Sequence, residues 1–159
     1  MGLLDRLRGR DGAPDADPAQ APPRRDPDEP LEEVGTRPPT PAERGQLDAA
    51  RAHFADHGIH PSDLASIAAA YEQALSRAED DEAGAAVEVV AVALGDHLVE
   101  HGGYRWVMSS DPFGTDLAVA PPRRGAPVVT RTLVAVRWMA RESGWLTGVA
   151  EHLTRAGRA

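Results

Sequence analysis

Apolar positions along the chain recur in two periods, and each change of period marks a change of element. Leu47, Ala50 and Phe54 follow one another at helical spacing after Thr40-Pro41-Ala42-Glu43. That tetrad has the form of a capping box with proline at the first helical position, so a helix is expected from Thr40, with Gly58 as its C-cap. Pro61-Ser62-Asp63 opens a second helix through Arg77, whose stripe is Leu64, Ile67, Ala68, Tyr71 and Leu75. From Glu82 to His101 nearly every position is apolar, and Glu88 is the only charge in the middle. A helix that is apolar all round belongs at the centre of a fold. The acid cluster Glu79-Asp80-Asp81-Glu82 sits where the positive end of that helix favours negative charge.

After Gly102-Gly103 the period falls to two. Tyr104, Trp106 and Met108 alternate with Arg105, Val107 and Ser109. Asp111-Pro112-Phe113-Gly114 has the composition of a tight turn. With Pro112 and Phe113 as the loop, Met108 faces Leu117 and Trp106 faces Val119, so the large residues share one face. Pro127 to Thr130 is expected as a short third strand at an edge. Helical spacing returns at Leu133, Val136 and Trp138, Gly144 interrupts it, and Trp145 to Arg155 forms a last amphipathic helix. The expected fold is α+β: a helical N-terminal half packed on a small antiparallel β-sheet, with one or two C-terminal helices.

Residues 1–39 have a different composition. Eight prolines between Pro14 and Pro39 stand among Asp, Glu, Arg and Gly, with too few apolar residues to offset the entropy of ordering. This stretch is expected to be a disordered tail, and residues 40–157 a single domain. Leu3, Leu4 and Leu7 could line one face of a short helix, but the reading weighs against membrane-surface contact through residues 1–8.

Composition narrows the chemistry. The chain has 159 residues, no cysteine, and a net charge of −8. Disulfides, thiolate catalysis and zinc–cysteine sites are thereby excluded. All basic residues are arginine, which rules out lysine Schiff-base chemistry. Acidic charge without a basic stripe disfavours nucleic-acid binding. No apolar run reaches the roughly 20 residues that span a bilayer, and the first ten residues lack a signal-peptide core, so a cytoplasmic location is expected.

The segment from Gly95 through Tyr104-Arg105-Trp106-Val107 to the Asp111, Gly114, Asp116, Leu117 turn and strand resembles the bacterial domain-of-unknown-function family 3806. The likeness covers roughly residues 60–140. It implies the fold and a bacterial origin, and it carries no activity, active site or cofactor with it.

Two residue clusters are candidate sites. His53 and His57 lie four apart near the expected end of the first helix, and His97 and His101 near the end of the third. An i,i+4 pair puts two imidazoles on one helix face, the arrangement of a zinc or nickel clip. The competing reading is that histidine near a helix C-terminus complements the dipole. Arg105, Ser109, Asp111 and Asp116 on the polar face of the hairpin form a candidate cluster for a polar ligand. Against this, Asp111 can cap its own turn, and Ser109 with Asp116 can be a solvated cross-strand pair. No GxSxG, HExxH, GxGxxG or P-loop motif occurs, which weighs against an enzyme. No cofactor is expected beyond a zinc or nickel ion at the histidines. The favoured reading is a non-catalytic module whose partner is a protein. The alternatives are a small-molecule or peptide sensor binding between the hairpin and the third helix, and a metal-dependent enzyme using the paired histidines.

Overall fold

The computed structural model describes residues 35–77 and 83–159. In chain order these form β1 (Gly35–Arg37), α1 (Pro41–Arg51), a short 3-10 turn (Ala55–His57), α2 (Leu64–Arg77), α3 (Ala83–Gly102), β2 (Arg105–Asp111), β3 (Gly114–Ala120), α4 (Thr130–Met139) and α5 (Leu146–Arg158). The protein is α+β. The expected tail up to Val34 and the whole acid cluster, Glu79 to Glu82, lie outside the described residues.

Thr40 starts α1 as its residues require. Its side chain accepts from the Glu43 amide at 3.3 Å, and Glu43 Oε2 accepts from the Thr40 amide at 2.7 Å, so both halves of the capping box are made. The helix stops earlier than expected, at Arg51 rather than Gly58. A turn and the 3-10 segment follow, and Gly58 ends that segment in the left-handed region. Arg51, the last residue of α1, reaches the central helix. Its guanidinium forks onto Asp96 of α3, with Nε to Oδ2 at 2.8 Å and NH2 to Oδ1 at 2.7 Å, which fixes the last turn of α1 against the central helix.

α3 is the centre of the fold. It packs against α1, α2, α4, α5 and both long strands. Val90, Ala91, Ala93, Leu94 and Leu98 are fully buried, as its apolar circumference predicts. α2 presents Ile67, Ala70, Tyr71 and Leu75 to the same core. Tyr71 sits edge-on to Trp138 of α4 and to Trp145 ahead of α5, with ring centroids 5.8 and 5.5 Å apart. Its hydroxyl donates to the Glu142 carbonyl at 2.8 Å. This aromatic trio fills the core volume that a chain rich in alanine and valine leaves open.

β2 and β3 pair antiparallel in the register the alternation predicts, Trp106 opposite Val119 and Met108 opposite Leu117. Asp111 Oδ1 accepts from the amides of Phe113 (2.8 Å) and Gly114 (3.0 Å), tying the turn to its first residue. On the other edge of β2, Gly35, Thr36 and Arg37 pair with Ser110, Ser109 and Met108, giving sheet order β1-β2-β3. This strand lies inside the segment read from sequence as tail. It is short, polar and exposed, and its partners lie over seventy residues away, so no local pattern announces it. The expected strand at Pro127 to Thr130 shrinks to one bridge, Val119 with Val128, because Thr130 already begins α4.

Candidate functional site

Where α1, α3 and the start of α4 meet one face of the sheet, they leave a half-open cavity of about 500 Å³. Its floor is apolar: Leu47 from α1, Ala91 and Val92 from α3, and Trp106, Met108 and Leu117 from the hairpin. Its rim is polar, with Arg37 from β1, Glu43 and Gln46 from α1, Glu88 from α3, Thr115 and Asp116 from β3, and Arg131 from α4. An apolar floor with a few convergent polar groups is the usual construction of a small-molecule site.

Two ion pairs brace the rim. Arg37 grips Glu43 with NH1 to Oε2 at 2.7 Å and NH2 to Oε1 at 2.6 Å. That fork, with the Thr40 amide on the same carboxylate, holds Glu43 down at a pKa of about 2. Across the opening, Arg131 Nε lies 3.1 Å from Glu88 Oε2. Asp116 makes no ion pair among the described residues. Three carboxylates therefore face two guanidiniums around the opening.

Trp106 is held along one edge of its indole, from Nε1 round to Cη2. Its six-membered ring lies so close to Gly95 that a Cβ there would collide with Cζ2 and Cη2. Its Nε1–H donates to Asp96 Oδ1 at 2.9 Å. Since Asp96 also receives Arg51, one carboxylate ties α1, α3 and the hairpin together beneath the cavity.

The residues singled out from sequence divide. Of Arg105, Ser109, Asp111 and Asp116, only Asp116 lines the cavity. Arg105 is exposed, Asp111 is engaged by the turn, and Ser109 is buried rather than part of a solvated pair. On their face of the sheet Val107, Ala118 and Ala120 form a second small buried cluster, so the reverse face is less polar than its alternation suggested. Period-two alternation put these four residues on one face but could not tell which face borders a concavity.

The histidine pairs do not converge. His53 and His57 stand in the turn and the 3-10 segment instead of on one helix face, because α1 has already ended. His53 Nδ1 meets Asp56 Oδ2 at 3.1 Å on the surface. His97 and His101 do lie together on α3, with ring centroids 4.4 Å apart. His97 is buried, and its Nδ1 is 2.9 Å from the Pro61 carbonyl oxygen. Burial pushes its pKa below the ordinary 6.5, with the neighbouring His101 adding a smaller push the same way. Among the described residues no group of three or more His, Asp or Glu side chains is placed to hold a metal ion.

The cavity residues that sequence reasoning missed are Arg37, Glu43 as a rim group, Gln46 and Arg131. They come from three elements far apart in the chain. Glu88 did stand out, as the lone charge in the middle of an apolar helix, and that was the usable signal.

The fold and site define a small α+β domain, a β-hairpin laid against a central apolar helix with a cavity between them. Residues 63–147 match the family described as Domain of unknown function (DUF3806), over half of the chain, and the protein belongs to that family. No curated protein and no solved structure matches it. No helix among the described residues is long and apolar enough to cross a membrane.

Proposed function

We propose that this protein is a non-catalytic binding module of the cytoplasm that takes a small amphiphilic ligand in the cavity between the hairpin and α3. The observation that carries the reading is the pairing of an apolar floor (Leu47, Val92, Trp106, Leu117) with a charged rim, on a scaffold locked by Asp96. The excess of one carboxylate on the rim favours a ligand with an apolar body and a cationic end. Nothing in the lining supplies a nucleophile with an adjacent base, so binding rather than turnover is the chemistry these groups can perform.

The test uses hexylamine, hexanol and hexanoate as probes of the full chain, followed by tryptophan fluorescence and thermal shift. Saturable binding with hexylamine tightest is expected. Gln46→Trp, an exposed change at the mouth, should abolish it without loss of stability. Binding that survives Gln46→Trp would place the ligand elsewhere.

The protein-interaction reading keeps one specific support. Val136 and Met139 of α4 are 52% and 74% exposed, unusual for large apolar side chains on a helix that otherwise faces the core. In that reading α4 presents a surface to a protein partner, and Met139→Glu should abolish the complex while leaving hexylamine binding unchanged.

A further inference from the structure

A second concavity, of about 330 Å³, lies where α5 packs against the C-terminal turn of α3. Its walls include His97 and His101 from α3, Thr154, Arg155, Arg158 and Glu151 from α5, and Ser62. Two of its polar atoms, His101 Nε2 and Thr154 Oγ1, are buried with no hydrogen-bond partner. Buried side-chain donors are nearly always satisfied, so two orphans on the walls of one concavity mark a place built for a polar guest.

We infer that this concavity binds a small oxyanion, a phosphate or carboxylate group. The unpaired groups suit one: a threonine hydroxyl and an imidazole nitrogen can both donate, and Arg155 and Arg158 supply guanidiniums whose planar forks match oxyanion geometry. Glu151 is the single carboxylate in the lining, against two arginines, and Glu100 stands just outside it with Oε2 3.9 Å from His101 Nε2. The ends of α3 and α5 would bring partial negative charge here, but both are already covered. Arg158 Nε donates to the His101 carbonyl at 2.6 Å, and Arg123 NH1 donates to the Arg158 carbonyl at 3.3 Å. His97 serves as a wall, because its Nδ1–H is committed to the Pro61 carbonyl and its ring packs at a tilt of 46° against His101. The hydroxyl of Ser62 is occupied by Glu100 at 3.0 Å, which leaves Thr154 as the free hydroxyl of the pocket. This site is separate from the cavity at the hairpin and shares no residue with it.

The experiment titrates the full chain with inorganic phosphate and with acetate at constant ionic strength, reading amide chemical shifts of His101 and Thr154. Saturable shifts with one shared Kd are expected. Arg155→Gln and Arg158→Gln, both at exposed positions, should each weaken that Kd by about ten-fold, the loss of one charge-assisted contact. Thr154→Val should weaken binding yet melt no lower than the parent, because the hydroxyl has no internal partner to lose. Tighter binding of phosphate than acetate assigns the phosphate form of the ligand, and the reverse order assigns the carboxylate. Shifts that stay linear in anion, or that persist in the Arg155→Gln, Arg158→Gln double variant, overturn the inference. So does a clear drop in melting temperature for Thr154→Val.

Discussion

The indole of Trp106 donates to Asp96 Oδ1 at 2.9 Å while the adjoining edge of its six-membered ring faces Gly95, so two neighbouring residues of α3 hold one edge of one side chain. Gly95→Ala meets a ring that is packed against the core and tethered to Asp96. The methyl must displace the indole and break its bond to Asp96. Overpacking and an orphaned polar pair together should cost about 3 kcal/mol, measured by urea denaturation. A loss below about 0.5 kcal/mol would show that the ring has room to move.

Asp96→Asn tests the other end of that relationship. The amide retains one acceptor but loses the charge that Arg51 grips from α1. A cost of about 1–3 kcal/mol is expected, with the Trp106 emission shifted to the red as the indole loosens. Arg51→Met in the Asp96→Asn background should cost much less than Arg51→Met alone, the sign of a shared interaction.

The parts of this fold that were legible in the sequence are those set by neighbours. The Thr40 capping box is two reciprocal bonds within four residues, so its sequence signature suffices. The Trp106–Val119 register follows from one turn and one alternation. What was not legible depends on distant partners. The end of α1 is tied at Arg51 to Asp96, forty-five residues on, and nothing in the local sequence says so. β1 exists because β2 offers it an edge. The cavity is a stronger case of the same limit. Arg37, Glu88 and Arg131 meet only when three elements have packed, and of these only Glu88 looked out of place in its own segment.

His97 makes the fold sensitive to mild acid. Its folded pKa lies below 6.5, so below that pH the unfolded chain takes up a proton that the folded chain resists. Stability is therefore fully present above about pH 6.5 and declines as pH falls through the unfolded value toward the folded one. His97→Gln should flatten this decline between pH 7 and pH 5 in urea titrations. An unchanged slope would mean that the imidazole charges as easily inside the fold as outside it.

Glu43 acts in a lower window and with the opposite charge. Its carboxyl is held from 4.5 down to about 2 by the Arg37 fork and the Thr40 amide. The stability it adds is complete above pH 4.5 and lost as pH falls through about 2. Glu43→Gln should remove that acid-dependent portion. Thr40→Ala should cost about 1 kcal/mol near neutral pH, since it removes the cap's acceptor.

The Glu88–Arg131 pair separates ligand recognition from stability. Both side chains are substantially exposed, 39% and 69%, so the pair contributes little to folding, and Glu88→Gln should shift stability by less than about 0.5 kcal/mol. Its effect on the cavity is larger. It removes one of the three rim carboxylates and frees Arg131, changing the local balance from one excess negative charge to none. Hexylamine binding should weaken several-fold, hexanoate should bind more tightly than to the parent, and hexanol should be unaffected because it reads only the apolar floor. A parallel change in all three affinities would mean that Glu88 shapes the cavity rather than setting its charge. Hexylamine and hexanoate affinities that both stay at the parent's values would remove the rim from the recognition mechanism altogether.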